Sequence, residues 1–229
     1  MPTYLRPTNE IHPDALLPSD PGVALALAQE LIDQPKMSNH ARGLWGYSGL
    51  TPDGRELTIQ STGIGGPSAA VVLSELAELG VRRAVRIGTC EAIVPDFKPG
   101  DLIAVSEAIA ADGVSRELGA ADELQPDAIL GKALEKATTD AGGRAGGVLS
   151  ADLPHGFGTK PPRARAPRAA TVDTATAALF ALGAQIAVEV AALLVVSEAL
   201  VGRIDEKGLG QASLRAGHAA VAALATVST

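Results

Sequence analysis

Short apolar runs alternate along this chain with segments of helical spacing. Asp14–Pro18 is an apolar run closed by Ser19-Asp20-Pro21, where an N-cap with proline just inside it opens a helix over 23–32. Asn39–Gly49 leads into a strand, and Thr51-Pro-Asp-Gly54 turns the chain back into a second one, Leu57–Ser61. Glycines 63, 65 and 66 then lead into a helix over Val71–Leu79. Ala84–Gly88 reads as a buried strand ending in Thr89-Cys90-Glu91, and Asp101–Ala108 follows as another. Residues 121–141 are polar and alanine-rich with helical spacing, Gly146–Ala151 is a strand, and Gly156–Arg168 is a basic, proline-rich loop. A helix over Thr174–Gly183, a long apolar strand over Val188–Val196 ending in Ser197-Glu198, and an amphipathic helix over Gln211–Val227 complete the pattern. Strands alternating with helices predict an α/β fold, with a mainly parallel sheet between helical layers. Ligands of such sheets bind outside the carboxyl ends of the strands, so the turns at Ser19, Gly63, Thr89, Asp152, Asp173 and Glu198 are expected to converge.

Composition narrows the function. The 229 residues, 46% hydrophobic, fit one α/β domain spanning 1–229 with a core of Ala, Val, Leu and Ile, since aromatics are only 3%. A net charge of −7 argues against nucleic acid as a partner, because phosphate backbones need clustered Lys and Arg. The single cysteine, Cys90, has no internal disulfide partner, Met1-Pro-Thr-Tyr-Leu-Arg lacks the apolar core of a signal peptide, and no apolar run is long enough to span a membrane. A cytoplasmic location is expected.

The stretch Ser61-Thr-Gly-Ile-Gly-Gly-Pro-Ser-Ala-Ala70 joins a strand to a helix through glycines. Unpaired N–H groups at such a helix start suit a ligand carrying negative charge or hydroxyls, although a turn of this kind also serves as plain punctuation. The glycine spacing matches neither a dinucleotide fingerprint nor a Walker motif, which removes NAD and ATP from consideration. The loop 156–168 carries Lys160, Arg163, Arg165 and Arg168, which either cover an anionic ligand or form a solvated linker. Cys90 reads as a small buried filler rather than a nucleophile, and His12, His40 and His218 as structural residues.

Ser61-Thr-Gly-Ile-Gly-Gly-Pro-Ser68 with Arg86-Ile-Gly-Thr89, the opening Leu17-Pro-Ser-Asp-Pro21, Ser150-Ala-Asp152 and Val172-Asp173 resemble the bacterial uridine and purine nucleoside phosphorylase family, in order and spacing, from about residue 14 to 227. The resemblance implies a three-layer α/β/α sandwich with a mixed, mainly parallel, distorted central sheet, assembled as a dimer or hexamer. It also implies phosphate-dependent cleavage of an N-glycosidic bond without metal or organic cofactor. Carried over by position, Arg42 (lent from a neighbouring subunit), Arg86 and Thr89 stand at phosphate-binding places, whereas Ser19 replaces a glycine and Val23 an arginine. A bidentate charged contact has no substitute in an isopropyl group. The ribose-gripping Met-Glu pair is Thr174-Ala175, the base-stacking aromatic is Pro154 with His155 after it, a glycine beside the base is Glu91, and the catalytic aspartate is Glu198. Cys90 lies between Thr89 and Glu91 in the same pocket lining.

Three functions remain open on these residues. One is an enzyme that reuses the pocket for a different small molecule, anionic ones included, with Glu91 and Glu198 entering one enclosed pocket as acid and base and Arg86 holding an anionic or carbonyl group. The second is a divergent phosphorylase or hydrolase of nucleosides, with Glu198 protonating the leaving base. The third is a non-catalytic binding subunit. Ordinary phosphorolysis of uridine or purine nucleosides is not expected, and exposure of Trp45 and Tyr47 would favour self-association.

Overall fold

The computed structural model describes residues 2–153 and 166–227. Its first half runs β1 (Asp14–Pro18), α1 (Pro21–Leu31), β2 (Asp33–Asn39), a 3-10 turn (Ala41–Gly43), β3 (Gly46–Leu50), β4 (Glu56–Gln60), α2 (Gly65–Glu78) and β5 (Arg83–Ala92). Then follow β6 (Leu102–Ala110), α3 (Gly113–Glu117), β7 (Glu123–Leu124), α4 (Ala128–Asp140), β8 (Arg144–Ser150), β9 (Thr171–Asp173), α5 (Thr176–Ile186), β10 (Glu189–Ala199), β11 (Gly202–Arg203) and α6 (Glu206–Thr226).

The strands form one mixed sheet in the order β2-β3-β4-β1-β5-β9-β8-β6-β10-β11. Strands β4, β1, β5 and β10 pair in parallel, as do β6, β8 and β9, while the β2-β3-β4 meander and the joints β5–β9 and β6–β10 are antiparallel. Because β10 pairs with β5 as well as with β6, the strands β5, β9, β8, β6 and β10 close a circuit, and this bends the sheet. Alternation along the central strands feeds two cores. Ala84, Cys90, Val190, Ala192 and Leu194 pack with α2 and α5 on one face; Val85, Ile87, Ala191 and Leu193 pack with α1, α4 and α6 on the other. This is the three-layer sandwich of the sequence reading. Val190–Val196 reads as an unbroken apolar run because both faces of β10 are covered.

Several boundaries shift for local reasons. Asp20 Oδ1 accepts from Val23 N at 3.0 Å and Pro21 occupies the first helical position, so α1 starts at 21. Helix α2 begins at Gly65, six residues before the predicted Val71, since Pro67 is tolerated in a first turn, and Gly63 (φ +74°) and Gly65 (φ +80°) take conformations closed to most side chains. Strand β5 runs through Thr89-Cys90-Glu91 to Ala92 instead of turning there. A bulge at Ser197 shifts the β10 register, so that Val196 faces Cys90 but Glu198 faces Glu91; Ser197 Oγ donates to Cys90 O at 3.1 Å. Tyr47, expected at the surface, is buried within β3, while Trp45 is partly exposed.

Residues 3–9 form a strap across one end of the molecule. The buried Glu75 carboxylate of α2 accepts from the backbone N–H of Thr3 (2.6 Å), Tyr4 (2.9 Å) and Leu5 (2.6 Å), and Leu5 enters the core. Arg6 N donates to Asn39 Oδ1 at 2.9 Å and Thr8 N to Ser38 O at 2.8 Å. Burial pushes the Glu75 carboxyl up, but the N–H groups of Leu5, Tyr4 and Thr3, with Arg42 further off, outweigh it and hold the group below the usual glutamate value. A depressed folded-state value stabilises the protein above the unfolded glutamate range, and this is lost as pH falls through the folded value. Glu75→Ala should cost about 1–3 kcal/mol in urea denaturation, the penalty for stranded buried donors, and remove hydrogen-exchange protection at residues 3–5. Acidification of the native protein should deprotect the same amides first.

Candidate functional site

An open cleft of about 570 Å³ lies at the carboxyl ends of β1 and β5. Ser19, just past β1, and Asp20, Gly22 and Val23 from the first turn of α1 form one wall; Gly88 and Thr89 of β5 form the floor; Glu206, Leu209, Gly210 and Ser213 of α6 close the other side. The glycine turn is stitched to this wall, because Thr62 N donates to Pro18 O at 2.8 Å and Gly63 N to Ser19 O at 3.1 Å. Ser19, Val23 and Thr89 therefore meet as the sequence expects. The contribution of α6 was not legible, because its start at Glu206 precedes the predicted Gln211 and is set by Asp205, which caps Gly208 N at 2.7 Å.

Arg86 is placed differently. It is 3% exposed and lies on the opposite face of β5 from Ile87, against α5. Its Nη2 and Nε donate to Asp173 Oδ2 at 3.1 and 3.3 Å, and Nε also to Thr176 Oγ1 at 3.2 Å. Asp173 further accepts from Ser150 Oγ at 2.5 Å, Thr176 Oγ1 at 2.6 Å and Thr176 N at 3.1 Å, and Ser150 Oγ accepts from Ala177 N at 2.9 Å. The guanidinium lies over Gly88, where a Cβ would stand 2.8 Å from Cζ. Its Nη1 is buried without a hydrogen-bond partner among the described residues.

Glu91 and Glu198 are direct cross-strand partners. They do not enter an enclosed pocket together: the Glu198 side chain is 40% exposed and accepts from Arg203 Nε at 3.0 Å and from Arg203 Nη2, across the β10–β11 hairpin. The sequence reading missed Arg203; its signal was the Gly202-Arg203 pair, close enough behind Glu198 for a tight hairpin. Thr174 is half-buried at the start of α5, but Ala175 has 1% exposure and belongs to the core, so its methyl presents nothing to a ligand. Cys90 is likewise a core residue; burial, with Asp173 nearby, pushes its thiol far up, which makes it a packing group and not part of a pocket lining. Pro154 and His155 lie outside the described residues, as do Lys160, Arg163 and Arg165. Arg168 pairs with Glu107 at 3.4 Å and Glu123 at 2.5 Å.

Arg42 does not reach the cleft of its own chain. It sits in the 3-10 turn at φ +59°, exposed, with its guanidinium 4.8 Å from the centroid of the Tyr4 ring. It borders a separate hollow of about 360 Å³ with Tyr4, Leu44, Ser68 and Val71. His12 and His218 pair with Glu56 (3.6 Å) and Glu30 (2.9 Å) away from the cleft.

Removing one member of a buried ion pair strands its partner. Asp173→Ala should therefore lower stability by about 3–5 kcal/mol in chemical denaturation. Ser150→Ala, which removes one neutral donor, should cost about 1 kcal/mol.

Comparison with known proteins supplies the relationship. The family described as the phosphorylase superfamily matches residues 13–228. A DeoD-type purine nucleoside phosphorylase of Caldanaerobacter subterraneus subsp. tengcongensis is 30% identical over 198 residues, covering 84% of this chain and 85% of the relative. That of Clostridium novyi is 31% identical over 201 residues, with the same coverage, and that of a Bacillus cereus strain is 32% identical over 196 residues, covering 82% of this chain and 83% of the relative. Among the described residues no helix is long and apolar enough to cross a membrane. With the sheet, the two helical layers and the cleft at the strand ends, these matches place the chain plainly: it belongs to the phosphorylase superfamily.

Proposed function

We propose that this chain is an enzyme that cleaves the N-glycosidic bond of a nucleoside, with purine nucleosides as the first class to test. The observation that carries the reading is similarity to purine nucleoside phosphorylases over 84% of the chain, alongside a family match over residues 13–228 that spans the cleft-forming elements. The cleft receives the group that attacks the sugar carbon, and the strand-end carboxylates Glu91 and Glu198 stand where β5 and β10 leave the sheet. Glu198, oriented by Arg203, delivers a proton to the base nitrogen as the glycosidic bond breaks. Thr174, at the opening of α5, is the candidate for contact with the sugar. A non-nucleoside substrate rests on the departures at Ser19, Val23, Glu91, Pro154, Thr174-Ala175 and Glu198, and the similarity supports it less well.

Purified chain incubated with inosine, adenosine, guanosine or uridine should release free base from at least one of them. Glu198→Gln should lower kcat about a hundredfold while changing KM less. No base release from any of the four overturns the nucleoside reading; an unchanged kcat removes Glu198 from the proton transfer.

Self-association belongs to the same reading. Arg42 lies outside its own cleft beside the exposed Tyr4 and Val71, and Trp45 and Ile64 (91% exposed) add further apolar surface that a second copy would cover. Sedimentation should show a dimer or larger assembly that Ile64→Lys weakens; a stable monomer alone would rule out a lent Arg42.

A further inference from the structure

Glycosidic cleavage needs an acceptor for the sugar carbon, and the cleft walls bear on which acceptor it is. Inorganic phosphate at neutral pH carries between one and two negative charges and is held in proteins by bidentate guanidinium contacts and aligned N–H donors. The cleft instead presents the carboxylates of Asp20 and Glu206, the hydroxyls of Ser19, Thr89 and Ser213, and the isopropyl group of Val23. The nearest guanidinium by strand position, Arg86, is neutralised within the protein by Asp173, at 3.1 Å and with both side chains buried. Arg42, if lent by a second copy, would bring one positive charge against the two carboxylates, so the described lining would still not be positive. The first turns of α1 and α6 bring two helix N-termini to this space, but their partial positive charge is opposed by the Asp20 and Glu206 carboxylates beside them, so an anion entering it meets no full positive charge among the described residues. Hydroxyls that both donate and accept, next to a carboxylate, suit a neutral hydrogen-bonding molecule.

Resting on the nucleoside reading above, we propose that the acceptor is water rather than inorganic phosphate, so that the chain is a nucleoside hydrolase whose water is held by Ser19, Thr89, Ser213 and Glu206. In the step, the water oxygen forms a bond to the anomeric carbon of the sugar. The carbon–nitrogen bond breaks, its electron pair passes to the base nitrogen, and that nitrogen takes up a proton from the Glu198 carboxyl, which regains one from solvent before the next turnover. The proton lost by the attacking water passes to the Glu206 carboxylate and then to solvent. The products are free base and free pentose, with no change of oxidation state. Val23 is the specificity residue: its side chain fills cleft wall where a guanidinium would create an anion site.

Two measurements on the full chain separate this proposal from the reading beneath it. Base release from the four nucleosides is followed with and without inorganic phosphate, and the sugar product is identified by phosphorus and carbon NMR in ¹⁸O-labelled water. Hydrolysis predicts equal rates in both buffers, free pentose, and the label at the anomeric carbon. Pentose 1-phosphate, or a rate that requires phosphate, overturns the proposal and leaves the nucleoside reading intact. Independently of turnover, titration calorimetry with inorganic phosphate should show no saturable binding to the wild-type protein, and Val23→Arg combined with Glu206→Gln should raise phosphate affinity at least about tenfold, the size of one charge-assisted contact. Saturable phosphate binding to the wild type overturns the proposal even if no nucleoside is cleaved. Absence of both cleavage and phosphate binding defeats the nucleoside reading while the phosphate-rejecting character of the cleft stands.

Discussion

The buried pair of Arg86 and Asp173 is the constraint on which the centre of the molecule turns. The arginine belongs to β5 and the aspartate ends β9, and the two strands meet antiparallel where the sheet closes its circuit. Two charges removed from water are tolerated only when their remaining hydrogen-bonding capacity is met. Ser150 from β8 and Thr176 from α5 meet most of it, so four elements are fixed relative to one another by a single carboxylate. The first turn of α5 inherits its position from that arrangement, since Ala177 N is held in turn by Ser150 Oγ.

This arrangement decides what the two faces of β5 can do. Alternation sends Arg86 and Cys90 towards α2 and α5, and Ile87 towards α1 and α6, beside the cleft. A charge needed to close the sheet is thus spent on one face while the cleft on the other is furnished by α1 and α6. Division of labour between adjacent residues of one strand follows directly from the two-residue repeat of the backbone.

Much of the fold was legible in the chain. The apolar runs 14–18, 57–61, 84–88 and 188–196 are strands, and Ser19-Asp20-Pro21 starts a helix where capping chemistry says it should. Errors fell where tertiary context overrides local pattern. Strand β2, Asp-Gln-Pro-Lys-Met-Ser-Asn, has no apolar alternation because it lies at the sheet edge and is partly covered by the strap. The Thr89–Ala92 end of β5 looked like a turn because only pairing with β9 and β10 keeps it extended. For the site, positions on the strand ends could be named in advance, but partners could not. That Arg86 is taken by Asp173, that Glu198 is held by Arg203 and that α6 supplies one side of the cleft are facts of three-dimensional proximity between residues far apart in sequence or across an unread hairpin.

The bulge at Ser197 gives the two strand-end acids an unusual kind of specification. In an unbroken ladder Ser197 would stand opposite Glu91, and Glu198 one step further on, opposite Ala92. One supernumerary residue brings the carboxylates side by side, so their partnership is encoded by counting along the strand as well as by side-chain identity. Over time, gain of one further codon at this point would separate the acids in one event, whereas loss of the Ser197 codon would remove the bulge and leave them opposite each other.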